Sequence, residues 1–110
     1  MPGSEALASS NNLKGQVVQD IRQHKVLVYS KSYCPFAKAT KDLLQSKGIT
    51  AKIYELDQMD NGDAIQEILA TISGQNTVPN VYINGKHIGG NSEVQDLNEA
   101  GKLEETINSA

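Results

Sequence analysis

One thiol dominates the chemistry open to this chain. Cys34 is its single cysteine, set in the run Lys31-Ser32-Tyr33-Cys34-Pro35-Phe36-Ala37. The apolar stretch Val26-Leu27-Val28-Tyr29 precedes that run and a segment with helical spacing follows it, so the thiol falls at the first turn of a helix. Helix starts carry unpaired backbone N–H groups and the positive end of the aligned peptide dipoles, both of which favour an anion. The attacking form of cysteine is the thiolate, and Lys31 and Lys38 add positive charge on the same side. Those features mark Cys34 as a nucleophile. An inert buried thiol is the plain alternative, and the proline neighbour, lysine flank and helix start argue against it. His24 and His87 are the histidines that could complete a Cys-His pair. His24 ends a helix ahead of a strand and His87 lies in a hairpin, so both read as solvated side chains.

The elements that must position the thiol follow from periodicity. Residues 1 to 11 lack any period that could bury a face and are expected as a flexible tail, leaving residues 12 to 110 as the domain. Leu13, Val17, Val18 and Ile21 share one face of a first helix. Val26 to Tyr29 reads as a strand buried on both sides. Pro35 suits a first helical position, Ala39, Leu43 and Leu44 supply that helix's inward face, and Gly48 stops it. Lys52 to Leu56 reads as a second strand. Asp57, Asp60 and Asn61 then lead into a helix with the stripe Ile65, Ile68, Leu69 and Ile72, ended by Gly74. Val78 to Ile83 and Lys86 to Ile88 form a hairpin across Asn84-Gly85, since Asn-Gly between β-rich runs is a strong turn signal. Asn91-Ser92 is expected to cap a helix carrying Val94, Leu97 and Ala100, and Leu103 with Ile107 mark a last short helix. Strands joined through helices imply parallel pairing and the hairpin adds an antiparallel pair, giving a mixed sheet with helices on both faces.

Composition narrows the partners. A chain of 110 residues with 38% hydrophobic and 21% charged content fits one globular domain. Its net charge of -3 gives no reason to bind nucleic acid or an acidic membrane surface. No apolar run approaches the roughly 20 residues of a membrane span, and the segment Met1 to Asn12 has neither the basic residues nor the apolar run of a secretory signal. A lone cysteine closes no internal disulfide, so a reducing, cytoplasmic setting is expected.

Three segments in order, Lys31 to Phe36, Thr77-Val78-Pro79, and Tyr82-Ile83-Asn84-Gly85-Lys86-His87-Ile88-Gly89-Gly90, resemble the glutaredoxins. The resemblance covers about residues 13 to 108 and implies a thioredoxin fold, an α/β fold with a four-stranded mixed sheet flanked by helices on both faces. It is nearest to the CPYC-type glutaredoxins, with one departure: Ala37 stands at the second cysteine of that motif. An introduced alanine and a naturally monothiol chain are both open readings of that position.

The resemblance implies glutathione as co-substrate, with no metal expected. Cys34 would attack a glutathione mixed disulfide, and a second glutathione would have to release it, because Ala37 offers no resolving thiol. By the same resemblance Lys31 and Gln75 hold the glycyl carboxylate, and Val78 pairs its backbone with the cysteinyl unit across a cis Val78-Pro79 bond. Ser92 and Glu93 would receive the γ-glutamyl end, the former at a helix start that favours an anion. Tyr33, Phe36, Thr77, Gly90 and Asn91 complete the implied glutathione site, with Gly89-Gly90 allowing close backbone approach to the ligand. Glu93 replaces the aspartate usual in the family, and Asn76 stands where relatives often carry a basic residue, so looser binding is implied. Partners would be glutathione with glutathionylated proteins or small mixed disulfides, and the chain a monomer. Two other readings remain open. Two chains could each donate Cys34 to a glutathione-ligated [2Fe-2S] cluster, although Pro35 and Ala37 depart from the Gly and Ser usual in cluster carriers. The domain could also serve in binding alone, in which case Cys34 would react no faster than a model thiol.

Overall fold

A computed structural model of the chain describes the backbone of residues 2–109 and the side chains of residues 12–109. Its elements run α1 (Pro2–Gln23), β1 (Val26–Ser30), α2 (Pro35–Ser46), β2 (Lys52–Glu55), a 3-10 turn (Leu56–Gln58), α3 (Gly62–Ser73), β3 (Asn80–Ile83), β4 (Lys86–Gly89), α4 (Asn91–Glu99) and α5 (Leu103–Asn108). The first helix thus begins earlier than Asn12, and the expected flexible tail over residues 1 to 11 lies outside the residues whose side chains are described.

The sheet order is β2-β1-β3-β4. β1 pairs parallel to β2, with Val28 opposite Ile53, and antiparallel to β3, with Val28 opposite Val81. β3 and β4 close the antiparallel hairpin across Asn84 and Gly85, both at positive φ as a tight two-residue turn requires. β1 is buried at every position, which explains its unbroken apolar run. Alternate side chains go to opposite faces. Leu27, Tyr29 and Tyr82 pack with Val17 and Ile21 of α1 and Ile65 and Leu69 of α3. Val26, Val28, Val81 and Ile83 pack with Leu44 of α2, Val94 of α4 and Leu103 and Ile107 of α5. This is the α/β arrangement expected from the sequence, a four-stranded mixed sheet covered on both faces.

Several local expectations shift. Of the residues expected on the inward face of α2, Leu44 is buried, Leu43 packs half-buried against the core and Ala39 is half-buried, while Ala37 and Thr40 are buried as well. Thr40 escapes a purely apolar reading because its hydroxyl is paired across to α4, donating to Asn91 Oδ1 at 2.9 Å. Ile72 is 38% exposed and lies outside the α3 stripe. The second strand stops at Glu55, and Leu56, itself buried, opens the 3-10 turn beside α3. Gly62 begins α3 against that turn: a Cβ there would collide with the carbonyl of Leu56. Gly90 is the residue that precedes α4, so Asn91 and Ser92 are its first helical residues and not its cap.

Candidate functional site

The carboxyl ends of β1 and β2 deliver two loops side by side, and the thiol stands on the first. Cys34 occupies the position before α2 with extended backbone, φ -84° and ψ 119°, and Pro35 is the first helical residue. Its amide donates to Lys31 O at 3.0 Å, closing a tight turn, and its carbonyl accepts from the Lys38 amide at 3.0 Å. The thiol therefore sits at a helix start, as its neighbours imply. Asp57, on the 3-10 turn after β2, steadies this loop from the side: its carboxylate accepts the Ser32 amide at 2.9 Å and the Ser32 hydroxyl. Those hydrogen bonds hold the Asp57 carboxyl below its ordinary range, with the charge of Lys31 acting in the same direction. Lys38 pairs with Asp42 one turn along the helix at 2.7 Å.

The second wall is the segment from Gln75 to Pro79. The Val78-Pro79 bond is cis, as the resemblance implies. Cys34 Sγ lies 3.7 Å from Val78 O, so the sulfur and a backbone edge face the same space from two elements 44 residues apart in sequence. The Gln75 side chain spans this segment, its amide nitrogen donating to Thr77 O at 2.9 Å and to Pro79 O at 2.8 Å. Both donor hydrogens are thus engaged within the loop, and an anion arriving there shares them through bifurcated bonds. The amide oxygen meets His87 Nε2 at 3.0 Å.

The third wall is the start of α4. Glu93 reaches back so that the Gly90 amide donates to its Oε1 at 2.6 Å, one half of a capping box. That contact accounts for Gly89: at φ 132° it is in glycine territory, and a Cβ there would press on the Glu93 carboxyl at 2.6 Å. The close approach at Gly89 is therefore to this chain's own Glu93, where a ligand had been expected. Asn91 is fixed from behind by Thr40 and by Gln95, whose side chain donates to Asn91 Oδ1 at 3.1 Å.

These walls enclose an open groove of about 500 Å³ lined by Phe36, Gln75, Thr77, Val78, Pro79, Gly90, Asn91, Ser92 and Glu93. Its volume is in the ordinary range for a small-molecule site. Nine of the sequence-selected residues meet there, and Cys34 stands at its rim through Val78. Lys31 and Tyr33 are not among the lining residues; Lys31 is half-buried beside Asp57, and Tyr33 is 72% exposed. Phe36 is 65% exposed at the groove edge. Ala37 is fully buried, facing the core behind the thiol. The site can hold an extended, polar ligand along a backbone edge with a nucleophilic sulfur beside it.

Three supporting residues escape a reading of motifs. Asp57 was read only as part of a turn, yet the parallel pairing of β1 and β2 places the residues that follow both strands next to each other, which is the signal that could have found it. Thr40 gave no signal, since a threonine on a helix face announces no partner. His87 is exposed, in keeping with a solvated side chain, and its bond to Gln75 is the part that no motif signals.

A mixed sheet of this order with a cysteine at the start of α2 and a cis-proline turn facing it defines a thioredoxin-fold thiol oxidoreductase. The comparisons narrow the class. The glutaredoxin family profile matches residues 26–88. Glutaredoxin-C6 of Oryza sativa subsp. japonica is 54% identical over 78 residues, 71% of this chain and 70% of the relative. Glutaredoxin-1 of Saccharomyces cerevisiae is 44% identical over 91 residues, 79% of this chain and 83% of the relative. The crystal structure of a buckwheat glutaredoxin-glutathione complex superimposes with a TM-score of 0.85 at 38% identity, covering 89% of each chain. The chain belongs to the glutaredoxin family.

Proposed function

We propose that this chain reduces glutathione mixed disulfides by a monothiol cycle in which Cys34 is the nucleophile and glutathione is both bound group and resolving thiol. The observation that carries the reading is the approach of Cys34 Sγ to Val78 O at 3.7 Å, at the rim of the groove. A relative solved as a complex with glutathione supports the choice of ligand. In the first step the Cys34 thiolate attacks the glutathionyl sulfur of RS–SG; the Cys34–SG bond forms, the RS–SG bond breaks, and RS⁻ leaves to take a proton. In the second, a glutathione thiolate attacks the glutathionyl sulfur held on Cys34, forming GSSG and returning the Cys34 thiolate. The sum is RS–SG plus GSH giving RSH plus GSSG, with no other oxidant or reductant. Ala37 leaves no internal thiol to compete in the second step.

Within the groove, the Val78 amide and carbonyl pair with the cysteinyl unit on this reading. Ser92, in the first turn of α4, offers its backbone N–H to the γ-glutamyl carboxylate. Glu93, already tied to Gly90, keeps a second carboxylate oxygen for the ammonium. Lys31 and Gln75 serve the glycyl carboxylate, Lys31 by reaching in from the turn before Cys34. Glutathionylated proteins and small mixed disulfides are the substrates of this reading, the chain acts as a monomer, and a reducing cytoplasmic setting suits its one thiol.

Turnover of a small glutathione mixed disulfide with glutathione as reductant tests the assignment. The native chain is expected to show activity that Cys34→Ser lowers by at least about 100-fold, as removal of a covalent nucleophile does. Comparable turnover in Cys34→Ser would reject it.

A further inference from the structure

His87 lies on β4, an edge strand, with its ring against Tyr82 at 5.3 Å between centroids and its Nε2 3.0 Å from Gln75 Oε1. A carboxamide has one accepting and one donating end. The donating end of Gln75 is identified by its partners, because the Thr77 and Pro79 carbonyls accept and cannot donate. The oxygen must therefore face His87, and His87 must carry its proton on Nε2. Desolvation lowers the imidazole's pKa from its ordinary value, against the opposing pull of Glu93. The amide nitrogen meanwhile borders the groove, 3.9 Å from where a Cβ on Gly90 would stand.

We propose that His87 is a positioning residue that sets ligand specificity: by holding Gln75 Oε1 from behind, it makes Gln75 present N–H groups and not its oxygen to the groove, so that this end selects a carboxylate over a neutral carboxamide. A flipped amide would bring its oxygen against the Thr77 and Pro79 carbonyls and against an incoming carboxylate, and the His87 bond adds to those two carbonyls in holding the amide the other way. The inference rests on the glutathione reading above and deepens it.

The experiment compares two mixed disulfides of 2-mercaptoethanol, one with glutathione and one with its glycinamide analogue, in which the C-terminal carboxylate is a carboxamide. The native chain is expected to prefer the carboxylate in kcat/KM. His87→Phe keeps an aromatic ring against Tyr82 and removes the N–H; it is expected to shrink that preference about five-fold, mainly through KM for the carboxylate substrate, because the Gln75 carboxamide loses the bond that holds its oxygen away from the groove. His87→Gln, which restores a donor, should recover part of the preference. Nitrogen-15 spectra of the imidazole in the ligand-free chain provide a second readout, and the Nε2–H tautomer is expected. An unchanged preference in His87→Phe, or an Nδ1–H tautomer, would overturn the role of His87 while leaving the oxidoreductase reading intact. Absence of turnover by the native chain on either disulfide would instead overturn the oxidoreductase reading, and this inference with it.

Discussion

Asp57 accepts two hydrogen bonds from Ser32, two residues before the thiol, and so holds the turn that carries Lys31 and Cys34. Its folded pKa is lowered, so the stability it contributes is present above the unfolded carboxyl value of about 3.9 and is lost as pH falls through the lower folded value. Asp57→Asn keeps the shape and abolishes the titration. The gap in urea midpoint between native chain and variant is therefore expected to be widest near neutrality and to close as the pH is taken below about 4, and a gap independent of pH would count against this anchor. Such residues were the part of the site least legible in the sequence. Cys34, Gln75, Val78 and Ser92 belong to segments whose types and order carry a pattern. Asp57, Thr40 and His87 act through a partner on another element, and no local spacing reveals such a partner.

At the scale of elements, two details depend on more than the local apolar period. The α3 stripe ends before Ile72, which is 38% exposed, and α4 starts at Asn91, where Glu93 satisfies the Gly90 amide. The entry into α3 depends on Gly62, which lets the helix lie against the Leu56 carbonyl. Gly62→Ala must push that backbone aside and is expected to cost about 1–3 kcal/mol. Gly15 in α1 has open space where a Cβ would stand. Gly15→Ala is expected to stabilise by about 0.5–1 kcal/mol, since glycine is the poorer residue in a helix interior. Chemical denaturation of the two variants checks both signs, and equal effects would show that the α3 contact is not tight. Helices, strands and the Asn84-Gly85 turn were readable because each is encoded in a short window. The Gly62 contact was not, since a glycine at a helix start has several uses.

At the scale of the molecule, the sheet brings the end of β1 and the start of β3 together, which is how residues 34 and 78 come to face one groove. The chain has one cysteine, and the position one helical turn beyond it is a fully buried alanine. On the proposed monothiol cycle this chain takes up one glutathionyl group, and with Ala37 one turn beyond Cys34 it has no second cysteine to expel that group. The most direct test is the intact mass of the protein after incubation with oxidised glutathione, read before and after a phosphine reductant. One added glutathionyl group per chain, removed by the reductant and absent in Cys34→Ser, is the expected result. No adduct on the native chain, or an adduct that persists in Cys34→Ser, would contradict the account.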